Sequence, residues 1–332
     1  MQTRFSLKKF HPSILLIFYF LTTSISFLQA DAHIFVYHRF GDARHPSTNT
    51  SLAELRKEFN YFKNNGYKVV KLETLVNALQ EGKDIPDNWV VLTIDDNFKS
   101  FYTKGYPIFK EFGYPFTIFL YLEATAKKYK DYTSFAQLRK MNKSLASFEF
   151  HSYGHKHMAS MSEKAIRADF DKGLALFEKE LGVRPKYFVY PYGEYNEKLE
   201  RISKEYGFEA IFNQNMGAVT KGTNIYDIDR SALVGKPKLK TYLNFDELQD
   251  YELIEPKMFP KDGVLTRVKA KVNKNAKNAY VYIRGHGWRP VKVKDGIIDY
   301  KTSKKIKGKR MKIGIQVGTK LKVKVFMREI KN

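Results

Sequence analysis

The chain contains no cysteine. Disulfides, a thiolate nucleophile and a cysteine-ligated zinc are therefore excluded, and any metal site must be assembled from histidine, aspartate and glutamate. Past the first thirty residues no apolar stretch is long enough to span a bilayer. Internal repeats and low-complexity tracts are also lacking, which sets aside solenoids and propellers. Acidic residues are scarce: 35 Asp and Glu stand against 58 Lys and Arg, for a net charge of +23. The scarcity is local. Lys261–Asn332 holds 22 Lys and Arg but only 4 Asp and Glu, whereas Asp31–Pro260 is close to neutral.

What is present begins with a targeting pattern. Arg4, Lys8 and Lys9 form a positive opening, Ile14–Phe20 an apolar core, and Ala30 and Ala32 small-residue cleavage points. Together they describe a secretory signal peptide over residues 1–30. Thr22, Thr23 and Ser24 interrupt the apolar core, which disfavours a permanent membrane span; an uncleaved anchor is the alternative. The protein is expected to be exported, to the periplasm, the cell envelope or the medium. In that compartment a basic, β-rich tail suits an anionic envelope polymer or a lipid headgroup surface as partner. Nucleic acid suits the charge but not the location.

Between His33 and Asp229 strand-like apolar runs alternate with helical segments. The strands expected are Ile34–His38, Lys68–Lys71, Trp89–Thr93, Phe116–Leu120, Phe148–Phe150, Tyr187–Tyr190 and Ala210–Phe212. The helices are Leu52–Lys63, Phe101–Phe112, Ser134–Met141, Glu163–Leu181 and Glu197–Tyr206, with Gly66, Gly113, Gly182 and Gly207 as their left-handed caps. Seven strands alternating with helices predict an α/β fold on a parallel sheet, and the count favours a barrel. Past Pro260 the texture changes. Arg267–Val272, Ala279–Arg284, Arg289–Lys294, Met311–Val317 and Leu321–Met327 alternate apolar and basic residues with period two, predicting a small antiparallel, sandwich-like β module. The expected organisation is thus a leader at 1–30, a barrel at 31–255 and a basic accessory module at 261–332.

Four of the apolar runs end in polar clusters, and in a parallel barrel all strand ends open onto the face that holds the active site. Asp95-Asp96 follows Trp89–Ile94; one carboxylate can hold a metal while its neighbour acts as base, although Asp also caps helices. His151 and His155 follow Phe148–Phe150, and neutral imidazoles suit Zn²⁺, Co²⁺ or Ni²⁺. Gly154 argues for a tight loop there rather than a helix, and His157 lies just beyond. Tyr190-Pro191-Tyr192-Gly193 forms a turn whose backbone N–H groups can meet an oxyanion, or simply an aromatic turn on the rim. His38 ends the first strand, on the same predicted face.

The ordered series Thr93-Ile94-Asp95-Asp96, His151-Ser152-x-x-His155 and Tyr190-Pro191-Tyr192-Gly193 resembles the polysaccharide deacetylases of the NodB-homology type, carbohydrate esterase family 4. The lead-in Leu52–Asn65 followed by Gly66–Val70 extends the resemblance over most of His33–Asp229. The resemblance implies a distorted (β/α)₇ barrel and metal-dependent removal of N-acetyl groups from N-acetylglucosamine-type units of an exopolysaccharide or peptidoglycan. Carried over, it makes Asp96, His151 and His155 the ligands of a divalent metal, Zn²⁺ first. Asp95 becomes the general base and the Tyr192 N–H an oxyanion donor. Two departures stand out. Val189 occupies the position where many members carry an arginine that orients the base; Arg230 is the candidate replacement. The late Leu-x-His that supplies a general acid is missing, and His38 is the candidate for that role; exopolysaccharide-directed members are similar in having Tyr-His at the first strand. An O-acetyl glycan esterase and a catalytically inactive glycan-binding envelope protein remain as alternative readings.

Overall fold

The computed structural model describes residues 31–328; the leader read over residues 1–30 lies outside the described residues. The first strands are β1 (His33–Tyr37), β2 (Arg39–Phe40), β3 (Asn49–Thr50), β4 (Lys68–Val69), β5 (Trp89–Asp95) and β6 (Phe116–Leu120). β7 (Ala146–Phe150), β8 (Tyr187–Val189), β9 (Ala210–Phe212) and β10 (Ser231–Ala232) follow. Every pairing among β1 and β4–β10 is parallel, in the order β10-β1-β5-β6-β7-β8-β9, with β4 flanking β5. A parallel bridge between Phe212 of β9 and Ile228, on the segment leading into β10, draws the two ends together into a distorted seven-staved barrel. The seventh stave is β10, not Lys68–Val69. Two residues preceded by an arginine offer no apolar run for period reading to detect.

β1 and β6 are buried along their whole length, as parallel strands covered on both faces must be. Successive residues alternate between two cores. Ile34, Val91, Phe119, Val189 and Phe212 fill the interior of the ring, joined by Leu72, Leu75 and Val76 of helix α2 (Leu72–Gln80), an element the sequence did not announce. Phe35, Leu92, Ile118, Phe188 and Ile211 face the outer helices. Ser51 caps α1 (Leu52–Asn64) by accepting from the Glu54 N–H, and Leu55, Phe59 and Phe62 form its buried stripe. α6 (Glu163–Leu181) starts on Ser162, ends on left-handed Gly182, and buries Phe170, Leu174 and Phe177.

The expected helix 101–112 is two pieces: a π-turn at Phe101–Gly105, then α3 (Tyr106–Phe112). Pro107 supplies no N–H to the helical ladder, and Tyr106 N–H reaches back to Phe101 O instead. Gly105 at the junction lets the Phe40 ring approach so closely that a Cβ would stand 2.8 Å from it. The remaining barrel helices are α4 (Leu122–Ala126), α5 (Phe135–Arg139) and α7 (Glu197–Glu205), before α8 (Leu239–Tyr242).

The second sheet comprises β11 (Asp246–Glu247), β12 (Glu252–Glu255), β13 (Val264–Lys271), β14 (Asn278–Ile283), β15 (Gly287–Lys294), β16 (Ile297–Lys305), β17 (Arg310–Val317) and β18 (Lys320–Met327). Its order is β11-β18-β17-β14-β15-β16-β13-β12, antiparallel except where β11 meets β18. The strand path folds over, so that Val268 and Ile298 share one core with Val281, Ile313 and Ile315. β16 was unforeseen because most of its outward positions are charged and only Ile298 is fully buried. Among the described residues, no helix is long and apolar enough to cross a membrane.

Candidate active site

β5 ends at Asp95, and the chain turns sharply: Asp96 and Asn97 adopt φ of 70° and 43°. The turn aims the two neighbouring carboxylates differently. Asp95 follows Thr93 into the ring interior, where the fully buried Arg230 guanidinium meets it twice, Nη1 to Oδ1 at 2.8 Å and Nη2 to Oδ2 at 2.7 Å. Arg230 also donates to Thr93 Oγ1 and the Asn213 carbonyl, and its guanidinium lies over the Phe119 ring. Burial alone would raise the Asp95 carboxyl, but Arg230 outweighs it and holds the group below the usual carboxylate range. Arg230, singled out as a possible substitute for the arginine absent at Val189, therefore sits on the candidate base.

Asp96 turns to the two histidines. The His151–His155 segment is not helical; Ser152 and His155 take positive φ, so both imidazoles reach one point from a tight loop. Asp96 Oδ1 lies 2.9 Å from His155 Nε2 and 3.4 Å from His151 Nε2, and the two nitrogens are 3.1 Å apart. Tetrahedral zinc, with bonds near 2.0–2.1 Å, sets its ligand atoms about 3.3 Å apart. The donor set and its spacing therefore fit a divalent cation. His151 Nδ1 meets the Val189 carbonyl at 2.9 Å, which leaves Nε2 to face the cluster. Thus Val189 contributes its backbone where the resemblance anticipated an arginine side chain. Burial would raise Asp96, but the His155 and His151 imidazoles hold it well below its usual range. The same carboxylate outweighs burial at His155 and raises that imidazole. A cation would take the place of this proton.

Tyr192, in the left-handed region at φ 62°, stands at the rim. Its ring lies 4.5 Å from that of His155 and stacks on His157 at 4.3 Å, and its hydroxyl donates to the His155 carbonyl. Among the described residues, no acceptor meets the Tyr192 N–H. His38 is close enough to feel Asp96, Asp95, Arg230 and His151, and its Nδ1 has no partner. Burial pushes the His38 imidazole down, so it rests neutral rather than as a ready acid. All seven residues picked from the sequence thus gather at one end of the ring.

The sequence reading missed the supports. Asp169, on α6, accepts from the Tyr153 and Gly154 N–H groups at 2.8 Å each and fixes the histidine loop. Asn97 receives the Tyr121 N–H and donates to Thr125. Glu194 holds His157. None of these carried a motif, although Asn97 is of a residue type that tolerates positive φ. Among the described residues, seven non-glycine positions have positive φ; five of them (Asp96, Asn97, Ser152, His155 and Tyr192) belong to this site, and strain of this kind concentrates where geometry is functional.

Fold and site define a parallel α/β barrel with an aspartate–histidine–histidine cluster at the carboxyl ends of its strands. Residues 82–211 match the family model of the polysaccharide deacetylases, the family that the motifs resemble. The chain is 27% identical over 242 residues to the poly-β-1,6-N-acetyl-D-glucosamine N-deacetylase of Escherichia coli (strain K12), covering 60% of this chain and 36% of that one. It therefore spans about a third of that relative's length. The enzyme of the same name from Staphylococcus aureus (strain MRSA252) is 25% identical over 208 residues, covering 59% of this chain and 71% of the relative. Among solved structures, the Streptococcus pyogenes deacetylase PplD superposes with a TM-score of 0.58 at 19% identity, over 64% of this chain and 96% of that one. IcaB from Ammonifex degensii gives 0.55 at 22%, over 62% and 92%. These two share the barrel fold. The family match contains the Asp, His and Tyr-Pro-Tyr-Gly clusters but neither His38 nor Arg230.

Proposed function

We propose that this protein is an exported, metal-dependent N-deacetylase acting on N-acetylglucosamine-type units of an extracellular polysaccharide, of the poly-β-1,6-linked kind named for its relatives. The observation that carries the reading is the convergence of Asp96, His151 and His155 beside an Asp95 held ionised by Arg230. In this reading those three residues hold a divalent cation, Zn²⁺ before Co²⁺ or Ni²⁺. A cation bound there supplies Lewis acidity toward an acyl carbonyl and makes nearby water more acidic. Asp95 takes the proton of the attacking water, and Arg230 keeps it deprotonated until then. The Tyr192 N–H donates to the oxygen on which charge develops. The proton taken up by Asp95 then passes within the site to His38, neutral at rest, which delivers it to the departing amine. Residues 31–255 form the catalytic barrel, and the basic module at 261–332 contacts an anionic envelope polymer or membrane surface.

An amine-release assay on poly-N-acetylglucosamine, chitin oligomers and peptidoglycan, with metal content measured on the same sample, tests the proposal. Release should stop with a chelator and return with Zn²⁺ or Co²⁺. Turnover by metal-free protein, or acetate release from O-acetylated glycans without amine formation, would refute it.

A further inference from the structure

The C-terminal sheet reaches the wall of the candidate site at three points. On β17, the Arg310 guanidinium donates to the Tyr192 carbonyl and stands 4.0 Å from Glu194, the residue that holds His157. Two residues on, Lys312 Nζ donates to the Gln214 carbonyl at 2.6 Å. Gly193 packs on Gln214 so tightly that a Cβ there would lie 2.7 Å from the Gln214 side chain. The Tyr192-Gly193 turn is thus gripped directly by one cation and backed by a residue that another cation holds. On β18, buried Lys322 lies 3.2 Å from Asp229 Oδ2 and 2.9 Å from Glu247 Oε1. Asp229 is the residue before Arg230. Asn213 couples the two, donating to Asp229 Oδ1 while its carbonyl accepts from Arg230 Nε.

Withdrawing a lysine from water is costly unless its partners compensate, and surface adhesion needs no buried cation. The remaining lysines of this sheet are largely solvated, so Lys312 and Lys322 serve the interface rather than the solvent face. Asp229, held by Lys322, adjoins Arg230 along the chain, and Gln214, held by Lys312, packs on Gly193 beside Tyr192.

We propose that the C-terminal sheet completes the catalytic wall, with Arg310 and Lys322 as positioning residues. Arg310 orients the turn that carries the Tyr192 N–H, and Lys322 anchors the Asp229-Arg230 step that presents the guanidinium to Asp95. The proposal rests on the deacetylase reading and extends it, because the basic sheet becomes part of the active unit as well as a contact surface.

The test uses the full-length protein with Arg310→Met, Arg310→Lys, Lys322→Met and Lys322→Arg. It measures kcat, KM, metal content and melting temperature on N-acetylglucosamine oligomers, together with amide exchange of the 190–195 segment. Arg310→Met should lower kcat by about 10–100-fold, less than the ~10²–10³-fold of removing an oxyanion donor outright. KM should move less than about threefold, and metal content should not change. Exchange at 190–195 should accelerate, and Arg310→Lys should recover part of kcat. Lys322→Met should lower kcat in the same way, with recovery in Lys322→Arg. Unchanged kcat and exchange in Arg310→Met overturn the proposal, as does a loss that tracks melting temperature and that neither conservative variant relieves. A wild-type protein that releases no amine sinks the deacetylase reading instead; the exchange measurement then still decides whether the sheet holds the turn.

Discussion

Asp95 and Arg230 form a fully enclosed ion pair, and its worth lies in what happens when one member is lost. Removing a partner from a buried pair costs about 3–5 kcal/mol, because the survivor stays desolvated without compensation. Arg230→Met should therefore lower unfolding free energy by about that amount in a denaturant titration. The pH dependence follows from the depressed Asp95 carboxyl. Its ionised form stabilises the fold fully above the unfolded carboxylate value, about 4, and that contribution is lost as pH falls through the lower folded value. Wild-type kcat/KM should consequently show no Asp95-dependent acid limb above about pH 4. In Arg230→Met, burial acts on Asp95 with its main opponent gone, so an acid limb should enter the weakly acidic range. A pH–rate profile that does not move would contradict this. Asp95→Asn should retain metal while losing about 10²–10⁴-fold in kcat. His151→Ala should lose the metal itself, as read by elemental analysis.

The histidine loop shows how an element is held where its own sequence is weakly instructive. A helix would place His151 and His155 one turn apart on a face; here Ser152 and His155 adopt left-handed φ, and Asp169 on α6 ties down two of the three intervening N–H groups, those of Tyr153 and Gly154. Asp169→Ala removes both acceptors without touching a candidate ligand. Loss of a support of this kind typically costs about 10–100-fold in metal affinity. Competition with a chromophoric chelator should reveal that loss, and unchanged affinity would show that the loop holds its shape unaided.

Across the molecule, charge divides into two populations. The cations of the second sheet that face water, Lys301, Lys305, Lys307 and Lys309 among them, add to a field suited to anionic polymers. Replacing these four with glutamate should weaken retention on an anionic polymer and flatten its salt dependence, leaving kcat on short oligomers unchanged. Retention that stays equal would remove the adhesive role from this face. Arg310, Lys312 and Lys322 belong to the other population, turned toward the barrel.

Local pattern was enough for the alternation of strands and helices, the helix caps and the three clusters ending in Asp96, His155 and Gly193, because burial on both faces and turn chemistry are written in neighbouring residues. Arg230 was legible only as a candidate, since nothing near it in sequence says that its side chain crosses the ring to Asp95. The supports Asp169 and Lys322 were not legible at all: each acts on backbone or charge distant along the chain, and no period or motif encodes such a meeting. The two-residue seventh stave beside β1, the resting neutrality of His38 and the docking of the basic sheet against the site likewise depend on packing, which brings together groups whose interactions fall off within a few ångströms.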